Sequence, residues 1–378
     1  MNYTGIYRTL FDAYRALPYA LGRGRAFPPL HVFIELTYRC NVRCDFCQFF
    51  EFEDRAARKP FGDELRFEEI EAVLSELPRF SFVSFTGGEL FLRRDVLDIL
   101  RLAARRHAVT FISNGTLIDQ ERVRALIDMA PRGRTGRRGL VLADVSIQAE
   151  GETHDRILRK PGAYERAMGA LSELAERRRE TGRRLPLLGV KTVVTERSVA
   201  GLAALYRRLC GVGVDVFNLM IYSGIDVHAQ RMTGARHAVP DRLPEMDEYV
   251  DVELLRRQLD EIELLRRELD GPHVRLTPPD MPWSEVFRYY DEGIDYRDYR
   301  CTAPWSTVGV SAYGEVSACP YFSQGNVREA GFRSIWNGPQ MRALRRSIRE
   351  HGSFPGCVGC CNMRYSAGRG SGAEISRS

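Results

Sequence analysis

The chain has 378 residues, 44% hydrophobic and 28% charged, which excludes a disordered or fibrous protein and suits one large core or two smaller ones. The formal net charge is +5, but the basic residues are spread along the chain, and only Lys59, Lys160 and Lys191 are lysine. The densest basic run, 131–139, has no interleaved aromatic residues, so no nucleic-acid partner is expected. No run of about 18 apolar residues occurs, so no membrane span is expected. The first 25 residues lack the basic start, apolar block and cleavage site of a signal peptide, and a cytoplasmic location follows as an expectation.

The N-terminal stretch places Tyr3, Ile6, Tyr7, Leu10, Phe11, Tyr14 and Leu17 at helical spacing. Its polar face is not strongly basic, which favours a helix closing the bottom of the body over one lying on a membrane. From residue 31, short apolar β-rich runs (31–36, 82–85, 109–112, 140–147, 187–194 and 214–221) alternate with amphipathic stretches (67–77, 95–106, 121–130, near 163–178 and near 198–210). Such alternation predicts a parallel sheet covered by helices, as an open barrel or a doubly wound sheet. In both, the chemistry sits at the C-terminal ends of the strands. Residues 222–250 are polar and irregular, and Tyr222, Asp226, His228 and Arg231 are expected to contact substrate there. The ELLRR repeat at 253 and 263 marks a long charged helix, packed outside the body or bridging two domains. Short alternating runs around Gly314 read as a β-hairpin.

Nine cysteines stand at 40, 44, 47, 210, 301, 319, 357, 360 and 361. Without an export signal they are expected to be reduced thiols, serving as metal ligands, catalytic groups or core filler. Clustering at the two ends of the chain argues against filler for all but Cys210, whose place on an apolar helical face suits packing. The first group lies in the loop after the first strand. A zinc site would want a fourth Cys or His nearby, and none stands in that loop. Three thiolates instead leave one position open, as on a 4Fe-4S cluster that binds a substrate at one iron.

Cys40-x3-Cys44-x2-Cys47, with Phe46 before the last cysteine, resembles the signature of the radical S-adenosylmethionine (radical SAM) superfamily. Gly87, Gly88 and Glu89, ending the second strand, resemble that family's GGE motif. The resemblance implies that they meet the methionyl ammonium of SAM, since glycines permit close approach and a carboxylate suits a cation. Ser113 and Asn114 after the third strand, Ser146 and Gln148 at the fourth, and Lys191 within the fifth stand where family members hold SAM or substrate. Cys301-x12-Gly314-x4-Cys319, the GNV and IWN fragments and Cys357-x2-Cys360 resemble the SPASM/twitch extension of these enzymes. Full SPASM domains carry further cysteines beyond that pair. The tail here has none, so the resemblance is to the twitch form, with one auxiliary 4Fe-4S cluster on Cys301, Cys319, Cys357 and Cys360. A structural zinc site is the alternative for that set.

The fold class these readings imply is α/β: a partial (β/α)6 radical SAM barrel with a small C-terminal α+β twitch/SPASM-like domain containing a β-hairpin. The expected divisions are an N-terminal helical extension (1–29), the barrel core (30–225), a variable linker with the long helix (226–295), the auxiliary domain (296–365) and a flexible tail (366–378). The resemblance implies a reductively generated 5'-deoxyadenosyl radical, an electron donor of the flavodoxin or ferredoxin type, and hydrogen abstraction from a substrate carbon. Dehydrogenation of a small polar natural-product intermediate is the expected reaction, with the auxiliary cluster accepting an electron. Epimerisation is the alternative, with Cys361 or Cys210 as the thiol hydrogen donor. Only about 30 residues precede the first strand, too few for a peptide-binding domain, so a peptide substrate ranks second. Outside the enzymes, a zinc-stabilised binding protein is the rival.

Overall fold

The computed structural model describes residues 13–47, 63–132, 136–223, 248–279 and 281–365. The six expected strands are β1 (His31–Glu35), β2 (Phe82–Thr86), β3 (Ala108–Ser113), β4 (Gly139–Ser146), β5 (Leu187–Val194) and β6 (Val216–Ile221). Neighbours in sequence are neighbours in the sheet, and all pair in parallel. A doubly wound sheet reverses its order at a switch point. None occurs among β1 to β6, so this part of the sheet is singly wound, as in a barrel.

The two faces of these strands carry different chemistry. Val32, Ile34, Val83, Phe85, Val109, Phe111, Val145, Val190 and Phe217 are buried under the helices. The residues alternating with them, among them His31, Ser84, Asp144, Lys191 and Asn218, line the hollow of the sheet. The helical layer comprises α1 (Phe67–Glu76), α2 (Val96–Ala104), α3 (Gln120–Asp128), α4 (Gly151–Leu158), α5 (Ala163–Glu180), α6 (Glu196–Val199) and α7 (Leu202–Val212). On α2, Val96, Ile99, Leu100 and Ala103 form one buried stripe, and each fully buried large aliphatic side chain there contributes about 1.5–3 kcal/mol. Helix α3 begins where the Asp119 side chain accepts the Arg122 N–H, a cap worth about 1 kcal/mol.

The ELLRR repeat forms α8 (Val252–Glu268), which buries Leu255, Ile262 and Leu265. It packs outside the barrel, where Gln258 accepts the Ala203 N–H at 3.0 Å and Glu261 meets Arg207 at 3.4 Å. Within the barrel half, a helix and a strand were not legible in the sequence. Helix α4 has few apolar residues, and β7 (His273–Thr277) continues the parallel sheet beside β6. The latter extends the expected six strands to seven.

The C-terminal hairpin joins the same sheet. Strand β9 (Thr307–Val310) runs parallel to β1, followed by antiparallel β10 (Glu315–Ser317) and β11 (Gly325–Asn326). Separately, β8 (Tyr299–Arg300) pairs with β12 (Arg364–Tyr365). Helices α9 (Trp283–Asp291), α10 (Phe332–Trp336) and α11 (Pro339–His351) complete this half. Buried Arg345 on α11 fastens it to the N-terminal segment, donating to Pro304 O, Gly24 O and Asn337 Oδ1 while lying 4.2 Å from the Trp336 ring centre.

Residues 13–21 are helical. Tyr14 meets Phe27 at a tilt and Phe80 edge-on at the N-terminal end of β1 and β2, the bottom of the barrel as expected. Tyr3, Ile6, Tyr7, Leu10, Phe11 and residues 366–378 lie outside the described residues. Among the described residues, no helix is long and apolar enough to cross a membrane.

Candidate active site and cysteine centres

The loop bearing Cys40, Cys44 and Cys47 leaves the C-terminal end of β1 and is held by backbone and charge. Arg43 N–H donates to Leu158 O at 2.9 Å and Asp45 N–H to Ile157 O at 3.3 Å, both at the end of α4. The Asp45 carboxylate meets Arg159 at 2.7 Å and also Arg197. Phe46 packs with Cys40 and Cys44 against Val42, Ile157 and Leu158, which explains an aromatic residue before the last cysteine. Cys40, Cys44 and Cys47 lie close enough that each thiolate would raise its neighbours' proton affinity. Burial dominates that effect: it pushes Cys40 up to about 11 and Cys44 higher still. Thiols so desolvated give up protons when a metal takes the charge.

Gly87 and Gly88 are bare for a reason the sequence did not reveal. A Cβ at either would collide with the backbone oxygen of Thr37 or Arg39, because Gly88 N–H donates to Thr37 O at 2.7 Å and Glu89 N–H to Arg39 O at 2.9 Å. Close approach is thus needed by the chain entering the cysteine loop. Glu89 is fully buried. Its carboxylate accepts from Ser113 Oγ at 2.9 Å, Asn114 N at 2.8 Å and Phe91 N at 3.1 Å, while burial pushes its pKa upward. Asn114 completes the contact between strand ends: its Nδ2 donates to Asn41 Oδ1 at 2.9 Å and lies 3.9 Å from Cys40 Sγ. These bonds tie β2, β3 and the cysteine loop into one unit. Removing the carboxylate strands several buried donors, each costing about 1–3 kcal/mol. Glu89→Ala should therefore lower stability by at least about 2 kcal/mol and weaken SAM binding together. A chemical-denaturation curve and a SAM titration test this, and two unchanged values would reduce Glu89 to an ordinary turn residue.

Further along the rim, Gln148 Oε1 accepts the Val193 N–H at 2.9 Å and the Gln148 N–H donates to His154 Nδ1 at 3.0 Å. The Gln148 carbonyl is thereby committed to joining β4 to β5. Ser146 stands level with Lys191 on the lumen face, and Lys191 Nζ meets Asp144 Oδ2 at 3.3 Å. That pairing was missed, although an acid and a base inside two adjacent apolar strands are a readable signal. Gly189 beside Asp144 leaves the room, since a Cβ there would strike Asp144 Oδ1. At the end of β6 the backbone of Tyr222 is fixed by Tyr289 and Tyr290, whose hydroxyls bond its carbonyl at 2.7 Å and its N–H at 2.8 Å. Asp226, His228 and Arg231 lie outside the described residues.

Cys301, Cys319, Cys357 and Cys360 wall one cavity with Tyr321, Phe354 and Met363. The chain turns tightly around it: Cys357 N–H donates to Phe354 O at 2.8 Å and Cys360 N–H to Cys357 O at 2.9 Å. Burial raises the pKa of Cys301 and Cys357. Gly359, with φ of +81°, lets this turn sit on the barrel mouth, for a Cβ there would lie 2.7 Å from Tyr289 Oη and 3.4 Å from Ser223 Oγ. The next residue but one, Cys361, is reached by solvent, yet it is near enough to feel Lys191. A hydrogen bond with Cys360 and, less, that lysine lower the pKa of its thiol. Cys361 thus lies within reach of the lysine on the lumen face. Cys210 does not: it lies under Gly271 beside Tyr206 on the helical layer, which corrects its candidacy as a hydrogen donor.

Among the described residues, no three His, Cys, Asp or Glu side chains gather tightly enough for one metal ion. Both sets of thiols suit a wider group such as an iron-sulfur cluster, in which each thiolate binds a different iron.

Comparison with known proteins agrees. A model of the radical SAM superfamily matches residues 34–193, and one of the SPASM iron-sulfur cluster-binding domain matches residues 301–361. Pre-heme d1 synthase of Dinoroseobacter shibae is 26% identical over 372 residues, covering 93% of this chain and 83% of that protein. The PqqA peptide cyclase of Rhodopseudomonas palustris is 34% identical over 133 residues, 34% of this chain and 32% of the relative. Streptococcus suis SuiB has the same fold with a TM-score of 0.62 at 16% identity, over 90% of this chain and 73% of SuiB. The cofactors are SAM, a SAM-binding 4Fe-4S cluster and auxiliary iron-sulfur centres in the C-terminal domain. Carrying a radical SAM domain followed by a SPASM domain, the chain belongs to the radical SAM superfamily of enzymes.

Proposed function

We propose that the chain oxidises a small polar substrate bound in the barrel hollow, removing two hydrogens from it. Cys40, Cys44 and Cys47 would hold the SAM-binding cluster, and Cys301, Cys319, Cys357 and Cys360 a single auxiliary one. Bound there, the first cluster with SAM supplies a 5'-deoxyadenosyl radical that takes a hydrogen atom from carbon, and the second supplies a one-electron acceptor. The backbone of Gly87 and Gly88 and the Glu89 clamp would seat the methionyl ammonium, with Ser113 and Asn114 fixing the clamp and Ser146 nearest the methionyl carboxylate. The observation that carries the reading is the seating of the C-terminal cysteine turn on the barrel mouth through Gly359, Tyr289 and Ser223. That contact supports reading both thiol sets as neighbours of one hollow. With an electron acceptor held by Cys301, Cys319, Cys357 and Cys360, a radical left on substrate carbon would lose one electron to it and a proton to water, completing the loss of two hydrogens. An external flavodoxin- or ferredoxin-type protein would supply and recover electrons.

Two specific observations favour second readings. Cys361 within reach of the lysine on the lumen face suits return of a hydrogen atom, hence epimerisation; likeness to a peptide cyclase suits a peptide substrate. Incubation of the reconstituted enzyme in D2O with SAM, reductant and a panel of polar metabolites and peptides separates them by mass. Oxidation gives a product lighter by two hydrogens. A substrate that returns with one deuterium and no change in oxidation level would overturn it in favour of epimerisation through Cys361.

A further inference from the structure

We propose that the hollow between β4 and β7 seats a carboxylate of the substrate, with Arg275 as its anchoring cation. This rests on the reading above only in taking the hollow as the place where substrate binds. Lys191, Asn218 and Arg275 stand at one level on three adjacent strands, spaced about 4.8 Å apart, so two long cationic side chains and an amide share one floor. Asp144, one step below, pairs with Lys191 and feels Arg275 as well. Among the described residues, no carboxylate forms an ion pair with Arg275. Across the hollow His31 adds no charge at neutral pH, because burial and then Lys191 lower it to about 4. The floor thus carries two cations against one acid. Arg275 is exposed on the edge strand, so an anion can reach it, and one unit of excess positive charge is balanced by one monoanion such as a carboxylate, whereas a phosphate dianion would exceed it. Arginine's planar fork matches that group bidentately.

The anion has two possible sources, the substrate and the methionyl end of SAM. Position favours the substrate: the cysteine loop, the Gly87–Glu89 turn and Asn114 cluster at the ends of β1 to β3, whereas Arg275 lies on β7 at the far edge. Benzoate and its uncharged isostere benzamide serve as probes, titrated by saturation-transfer NMR into the anaerobically reconstituted holoprotein first without SAM and then at saturating SAM. Benzoate should bind and benzamide should not. Arg275→Met should weaken benzoate about tenfold, the size of one charge-assisted contact, while Arg275→Lys should keep most of it. Equal binding of the two probes, or an unchanged benzoate affinity in Arg275→Met, would overturn the proposal. Displacement of benzoate by SAM would overturn it too, assigning the cation to the methionyl carboxylate. Failure of the radical reading shows elsewhere, as absence of 5'-deoxyadenosine from the wild-type protein with SAM and reductant, and leaves the benzoate titration interpretable.

Discussion

Replacing Cys40 by alanine is expected to end the cleavage of SAM to 5'-deoxyadenosine. Even changes outside the ligand shell of a metal site cost about 10–100-fold, so loss of a ligand should lower turnover more than about a hundredfold. Among the described residues, those packed on the loop offer no substitute thiolate. The four residues Phe46, Val42, Ile157 and Leu158 pack around this loop, and Asn114 points at the sulfur with its amide; none of them can ligate iron. The same outcome is expected for Cys44→Ala and Cys47→Ala. Chromatographic measurement of 5'-deoxyadenosine under reducing conditions checks it, and undiminished cleavage in the triple variant would refute the assignment of these thiols.

Changing Cys357 and Cys360 together should divide the two halves of the reaction. The cavity they wall is formed within the C-terminal half by Cys301, Cys319, Tyr321, Phe354 and Met363, and none of these belongs to the clamp joining Glu89, Ser113 and Asn114. SAM cleavage should stay within about threefold of wild type, a shift under about 1 kcal/mol, while oxidised product falls below detection. Deuterium from labelled substrate should still appear in 5'-deoxyadenosine. Loss of solubility together with all cleavage would make the C-terminal site a structural staple, and full product formation would remove any role for an auxiliary cluster in the oxidation.

The residues that announce themselves in the sequence are those whose chemistry depends on short spacing. Cys40, Cys44 and Cys47, the Gly87–Glu89 turn and the Cys357/Cys360 pair are read from a few neighbouring letters, and the alternation of apolar runs locates six strands and their helices. Residues whose role depends on distant partners stay silent. Nothing near Asp45 marks Arg159 and Arg197 as its partners, and nothing near Gly359 indicates that Tyr289 lies above it. Glu89 is legible as a motif residue, but its burial and its bonds to β3 are not. Strand β7 escapes because its lumen face holds His273, Arg275 and Thr277, so the segment lacks the continuous apolar character of a buried parallel strand. Helix α4 escapes because GETHDRIL presents only Ile157 and Leu158 as large apolar residues.

Whether SAM meets the first cluster can be measured directly. Electron paramagnetic resonance of the reduced Cys357→Ala/Cys360→Ala protein, recorded with and without SAM, isolates that cluster from the auxiliary one. Three thiolates from Cys40, Cys44 and Cys47 leave one iron for SAM, so a reduced 4Fe-4S signal that changes shape on adding SAM is the predicted result. A protein that carries iron and sulfide but whose spectrum is indifferent to SAM, or one that carries zinc without sulfide, would contradict it.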